Sequence, residues 1–432
     1  MPQARAQQDQ GDSAFKVTPT SGRRLAGIEG LRAAAALSVM VGHFNLHLMS
    51  ADFLSPIQHR VLNAAGQGLT LFFVLSGFLL FGPFLGAAAR EAPFNTAQYF
   101  ANRILRIYPA YVVIFAVVTF GLGLAYTHPA PIGAAGVAGT ADTLGRISDP
   151  GIIAANLLLA HTLTPWTIKT GLGVSWSLTT EVCFYLVLPL LTFAAVHLSR
   201  RFGLLRAAVA VSLGMIAVGL VCRAIGAAQV QGDPATQFCL QWGGNWLAVY
   251  LRSILCQADL FGVGMLAAVV FHVATHERIV PHRALHLGLW CAMAAGLVLT
   301  RADRDFGFAV FFAALLPIVT SATVGGRTSP LATLLEWAPI RGLGTISYSF
   351  YLWHLPVIWG LYRWHLQGHH PDTAVGVASS FILVLAITTA LSAITYLAVE
   401  RPALRLKAKP YGRRLRAVFS SRGTAGSATG NP

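Results

Sequence analysis

GLTLFFVLSGFLLFGPFLGA, residues 68–87, carries no charged side chain over 20 positions. As a helix it would extend about 30 Å, the thickness of a bilayer's hydrocarbon core. Working outward from it, apolar runs of similar length lie near 31–49, 104–125, 176–198, 204–226, 254–273, 284–300, 306–324, 345–366 and 375–399. Composition agrees. Of the 432 residues, 55% are hydrophobic and only 11% charged, against about 25% charged in soluble domains. So few charges cannot cover a water-soluble surface, and disorder, collagen and coiled coil are excluded with it. The expected fold class is all-α, a polytopic transmembrane helical bundle of about ten spanning helices.

The charges comprise 31 Lys+Arg and 16 Asp+Glu, a formal net of +15. In such a chain this excess reads as loops held on the cytoplasmic side, and no aromatic-interleaved basic groove suggests nucleic acid. One short run, 151–165, decides the topology; it contains Asn156 and His161. If it does not cross, Arg200-Arg201, Arg278/Arg283, Arg327/Arg341 and the tail from Arg401 to Arg416 share a side with Arg5, Lys16, Arg23 and Arg24. If it crosses, every later basic loop inverts. The positive-inside rule therefore favours both termini cytoplasmic in a cell inner (plasma) membrane, with 151–165 re-entrant or interfacial. Residues 1–24 read as a polar, basic cytoplasmic lead, 25–405 as the membrane domain, and 406–432 as a basic, disordered cytoplasmic tail. Cys183, Cys222, Cys239, Cys256 and Cys291 are scattered and show no paired spacing, so they read as small hydrophobes.

Polar groups within spans are costly and mark candidate sites. The first span opens with Glu29-Gly30-Leu31-Arg32 and carries His43 eleven residues after Arg32. Eleven helical steps come within about 20° of three full turns and about 16 Å along the axis, so both side chains share one face. A long anionic ligand could rest its charged end on Arg32 and present its other end to the imidazole; interhelical hydrogen bonding is the plainer duty for His43. Arg103 and Arg106 stand i,i+3 at the start of the third span, where two forked cations can clamp phosphates or simply contact lipid headgroups. Ser76-Gly77 permits close helix approach. The fourth span begins Ser175-Trp176-Ser177 and buries Glu181 with Tyr185 one turn on; Glu181 could orient His43 or an acceptor hydroxyl, or neutralise an arginine. Tyr348 and His354 lie in the ninth span, His354 just before Pro356, which should loosen the helix. Asp259 has no evident partner. His43/His47 and His282/His286 have i,i+4 spacing and His369-His370 are adjacent, but no acidic or thiol ligands accompany them, so no metal is expected.

In order, these motifs resemble the acyltransferase-3 family of integral membrane acyl-CoA-dependent O-acyltransferases. The resemblance runs through Gly27–Arg32 with His43, Leu71–Phe78, Arg103–Arg106 with Tyr108-Pro109, Ser175–Pro189, Ile346–Pro356 and Glu400-Arg401-Pro402, collinear over about residues 23–405. Glu29 stands where the family commonly has Asp, and Ala33 where it has Gly. Many members continue into an SGNH hydrolase-like domain; this chain resembles the standalone form.

The resemblance implies transfer of a short acyl group, often acetyl, from cytoplasmic acyl-CoA to a hydroxyl of a carbohydrate or glycosylated acceptor. Arg32 and His43 match its catalytic Arg-x10-His motif, and Arg103 and Arg106 its acyl-CoA-binding motif. His43 would be general base, with Glu29 or Glu181 setting its tautomer. Ser76, Trp176, Tyr185, Tyr348 and His354 are candidate pocket-lining residues. The implied partners are acyl-CoA, a hydroxylated acceptor and the lipid bilayer, with no resident cofactor and no nucleic acid. The competing class is a saccharide or lipid transporter using an intramembrane His/Glu proton relay; no inverted repeat between the halves supports it.

Overall fold

Each of the ten apolar runs forms a helix in the computed structural model, which describes residues 25–48, 55–90, 95–129, 143–277, 282–324, 330–364 and 373–406. The expected lead 1–24, the tail from 407 onward, Arg278, Arg327 and His369-His370 lie outside the described residues. The first half comprises α1 (Ile28–Leu48), α2 (Pro56–Ala65), α3 (Gly68–Ala88), α4 (Thr96–Ala116), α5 (Pro150–Leu157), α6 (Trp176–Phe202) and α7 (Leu204–Ala227). Then come α8 (Pro234–Trp242), α9 (Trp246–Arg252), α10 (Ile254–His272), α11 (His282–Leu299), α12 (Arg304–Val324), α13 (Pro330–Leu335), α14 (Ala338–Thr345), α15 (Ser347–Arg363), α16 (Ala374–Thr395) and α17 (Arg401–Arg405).

Among the described residues, six stretches are long and apolar enough to cross a membrane: Gly68–Ala88, Thr96–Leu122, Trp176–Phe202, Leu204–Ala227, Trp246–Thr275 and Ala374–Arg405. The other four runs are helical but fall short of that length or hydropathy among the described residues. Leu190, Phe193, Val221, Ile225, Ile382 and Ile394 are exposed on the bundle's outside. Apolar surface of this kind suits lipid.

Within residues 151–165 the helix is short. Asp149 caps α5 by accepting the Ile152 N–H at 2.9 Å, and the helix ends after eight residues, about 12 Å of rise against a core of about 30 Å. Its polar residues tie it down. Asn156 donates to the Ile152 carbonyl at 3.0 Å and to Thr170 Oγ1 at 2.9 Å, and Tyr111 donates to the Asn156 carbonyl at 2.9 Å. His161 Nε2 meets Ser175 Oγ at 3.1 Å.

Two features depart from expectation. A two-stranded ribbon pairs Ala125 with Gly145 and Tyr126 with Leu144, and Tyr126 also bridges Gly171. Strands of two residues carry no alternation to read. Second, Pro356 does not loosen its helix: α15 runs through it, and every residue from Ser347 to Leu361 is buried. Neighbouring helices hold the segment where sequence alone predicts a break.

α10 is the central helix, packed against α7, α3 and α12, while α15 lies between α1 and α16. Close approach explains the pairing of α10 with α3. A Cβ on Gly77 of α3 would collide with the Phe261 carbonyl of α10, and one on Gly264 of α10 would collide with the Val74 carbonyl of α3. The two glycines bring backbones together in reciprocal contact, as expected for Gly77.

Candidate active site

Three arginines and one carboxylate from three helices meet at a cavity of about 120 Å³. Arg32 comes from α1, Ser76 from α3, Arg103 and Arg106 from α4, Glu181 and Tyr185 from α6, and Tyr348 and Tyr351 from α15. The i,i+3 spacing on α4 does bring Arg103 and Arg106 to one wall. On α6 the i,i+4 spacing lets Tyr185 donate to Glu181 Oε1 at 2.6 Å, and Ser76 Oγ donates to the same oxygen at 2.7 Å. Gly77 provides the close packing and Ser76, beside it, reaches the carboxylate.

The arginines are not equivalent. Arg106 Nη1 lies 3.5 Å from Glu400 Oε2, and its guanidinium covers the Tyr348 ring at 5.7 Å. Glu400 is buried, ends a π-helical turn (Tyr396–Glu400) and also accepts from Ser349 Oγ. Arg103 covers the Tyr185 ring at 5.7 Å, and its buried Nε has no hydrogen-bond partner among the described residues. Arg32 sits in the combined field of Arg106, Glu29, Glu181 and Glu400. The lining thus carries three cations and one carboxylate, an excess suited to a polyanion.

His43 and His354 do not line this cavity. They pair with one another: His354 Nε2 lies 3.2 Å from His43 Nδ1, which is also 3.0 Å from the Val39 carbonyl one turn back. His47 stacks beside His43 at 6.0 Å and rests on Trp359 at 4.7 Å. Tyr351 joins the two regions. It lines the cavity, and its ring lies 5.8 Å from that of His354. Its hydroxyl is 2.6 Å from Ser177 Oγ and 2.8 Å from the Val174 carbonyl.

Neither carboxylate expected to orient His43 does so. Glu181 is engaged by two hydroxyls. Glu29 is fourteen residues away on the same helix, about 21 Å along its axis, and its backbone lies against Gly344. Trp176 lines a second cavity instead. Among the described residues, no group of three His, Cys, Asp or Glu could hold a metal ion.

Sequence reading missed Tyr351, Ser177 and Glu400 as members of this region, and it found no partner for Asp259. That partner is Arg223, whose Nη2 reaches both Asp259 oxygens at 2.7 Å while Nη1 lies 3.1 Å from Asp303 Oδ1. A buried carboxylate signals that a cation must exist, but the sequence does not say which.

An acyltransferase-domain profile matches residues 25–397, most of the chain and every helix around the cavity. The chain belongs to the acyltransferase-3 family. It is 25% identical to Bacillus subtilis YrhL over 409 residues, covering 91% of this chain and 57% of that protein. The peptidoglycan O-acetyltransferase OatA of Listeria monocytogenes is 25% identical over 347 residues, 79% of this chain and 51% of OatA. The O-acetyltransferase OatA of Staphylococcus aureus is 24% identical over 395 residues, 88% and 57% respectively. The chain therefore spans about half the length of the curated relatives it matches. No solved structure matches it.

Proposed function

We propose that the chain is a membrane O-acyltransferase, acting at the plasma membrane with both termini cytoplasmic, that moves an acetyl group from acetyl-CoA to a hydroxyl of a carbohydrate. The observation carrying this reading is the arginine cavity bounded by Tyr351, which contacts the histidine pair, in a family of acyltransferases. Relatives named O-acetyltransferases support acetyl as the group and a glycan as the acceptor class. Nothing in the family or its relatives favours transport.

Arg103, Arg106 and Arg32 hold the CoA phosphates through charge-assisted, forked hydrogen bonds. Acyl-CoA is a consumed substrate, and the reaction calls for no resident cofactor. His43 Nδ1–H donates to the Val39 carbonyl and toward His354 Nε2, which leaves His43 Nε2 as the acceptor nitrogen. This is the base-competent tautomer, fixed by a backbone carbonyl and a second imidazole instead of a carboxylate. His43 Nε2 takes the proton of an acceptor hydroxyl brought against Tyr351 as its oxygen attacks the thioester carbon. The C–S bond breaks, the ester forms, and the CoA thiolate recovers the proton from the imidazolium.

The test is transfer of radiolabelled acetyl from acetyl-CoA in purified membranes. His43→Gln keeps hydrogen-bonding capacity but cannot take the proton, so transfer should fall at least about 10²-fold while CoA still binds. Near-normal transfer by His43→Gln would sink the assignment of His43 as base.

A further inference from the structure

The second cavity is larger, about 640 Å³, and lies at the ends of its helices. It is bounded by the start of α3, the first residue of α6, the end of α7 and the start of α12. Under the charge-based topology these ends face away from the cytoplasm. Leu69 and Phe73, i,i+4 on α3, line both cavities, so the wall between them is a single layer of side chains.

The lining chemistry is specific. The Arg252 guanidinium lies 3.2 Å from the centre of the Trp242 ring and 5.2 Å from that of Trp176. The two indoles meet edge to face at 5.9 Å. Arg252 is 7% exposed, its Nε has no hydrogen-bond partner, and it forms no ion pair among the described residues. A buried cation without an ion pair is costly unless something supplies the missing charge, and Asp305, which lines the same cavity, acts on Arg252 only from beyond ion-pair distance. Of the other lining arginines, Arg223 is paired with Asp259 and Asp303 and Arg304 with Asp305, so the unmet demand belongs to Arg252. Gln67, Gln241 and Gln257 also line the space; Gln67 already accepts from Thr70 and Gln257 donates to the Leu251 carbonyl, which leaves the Gln241 amide and the Gln257 oxygen to pair with hydroxyls. Its volume is within the usual range for a small-molecule site, roughly 300–1,000 Å³.

We propose that this cavity binds a saccharide bearing one negatively charged substituent, with sugar C–H faces on Trp176 and Trp242, hydroxyls on the glutamine amides and the anion on Arg252. A bare lipid phosphate would use the cation and leave the indoles and amides unused. The planar guanidinium fork fits either a carboxylate or a phosphate. Naming this ligand as the acyl acceptor rests on the acyl-transfer reading; the binding itself does not. Acceptor and donor then approach Phe73 and Leu69 from opposite sides.

The experiment reads binding alone, by saturation-transfer NMR on the full chain in detergent with no acyl-CoA present. The probes are N-acetylglucosamine, N-acetylmuramic acid, which adds a carboxylate, and N-acetylglucosamine 1-phosphate, which adds a phosphate. At least one anionic sugar should bind about tenfold or more tightly than the neutral one, as for one charge-assisted contact. Arg252→Gln should abolish that preference and Arg252→Lys should keep part of it, both at an unchanged melting temperature. Which anionic sugar binds identifies the charge the site reads. Equal binding of all three sugars, or a preference that survives Arg252→Gln, overturns the proposal. So does complete displacement by an equal concentration of inorganic phosphate, which would make the site an anion hole or a lipid-phosphate contact. Because no acyl donor is present, failure of acetyl transfer leaves this result standing, and failure here leaves the transfer reading standing.

Discussion

The two cavities use arginine in the same two ways. Each has one arginine locked to carboxylates, Arg106 on Glu400 in the smaller and Arg223 on Asp259 and Asp303 in the larger. Each also has one that lies on aromatic rings and forms no ion pair among the described residues, Arg103 and Arg252. The paired member holds helices together, and the unpaired member is left with hydrogen-bonding capacity for a ligand. Position in a span does not separate the two roles; compensation does.

That distinction breaks first at Asp259. Asp259→Ala strips a fully buried carboxylate from Arg223 and leaves only the partly exposed Asp303 to compensate it. The loss should be about 3 kcal/mol, seen as a lower melting temperature in detergent, with CoA binding by the folded fraction unaltered. A variant as stable as the parent would make the pair ornamental. The donor-site arginines sharpen the contrast. Arg103→Ala should weaken CoA binding about ten- to a hundredfold with little change in melting temperature. Arg106→Ala should lower both, because Glu400 loses its countercharge in a buried position. Equal melting temperatures for the two variants would erase the proposed division of labour.

The smallest effect concerns Lys169, in the loop before α6, whose ammonium lies over Trp242 at 4.9 Å and Phe238 at 5.4 Å. Burial, with the charge of Arg252 adding to it, pushes Lys169 down to about 7. Below that pH the side chain is a second cation beside the Trp242–Arg252 stack, and above it the charge is gone. Binding of the anionic sugar should therefore weaken as pH rises through 7, by about two- to fivefold, the worth of a partly screened charge pair. Lys169→Gln should flatten the profile.

How much of this was written in the sequence depends on the range of each interaction. The ten helical runs, the shared face of Arg103 and Arg106, and the close packing at Gly77 follow from periodicity and residue size within one helix. So does the Glu181–Tyr185 bond, an i,i+4 contact. The pairing of Arg106 with Glu400 joins residues 294 positions apart, and Asp259 finds Arg223 across 36. Charge shows that such partners must exist but does not select among them. His43 illustrates the limit: its depth on α1 was legible, but its contact with His354 required knowing that α15 packs against α1.

The reciprocal glycines of α3 and α10 have a mechanical consequence. With Gly77 and Gly264 each seated on the other helix's backbone, the two helices mesh like gear teeth and cannot slide without collision. Phe73, which stands in the wall between the cavities, is carried on this locked frame and packs 4.7 Å from Phe261. Any passage from one compartment to the other along α3 must therefore open by turning the Phe73 and Leu69 side chains about their own bonds, a latch set in a rigid doorpost and not a hinge between domains.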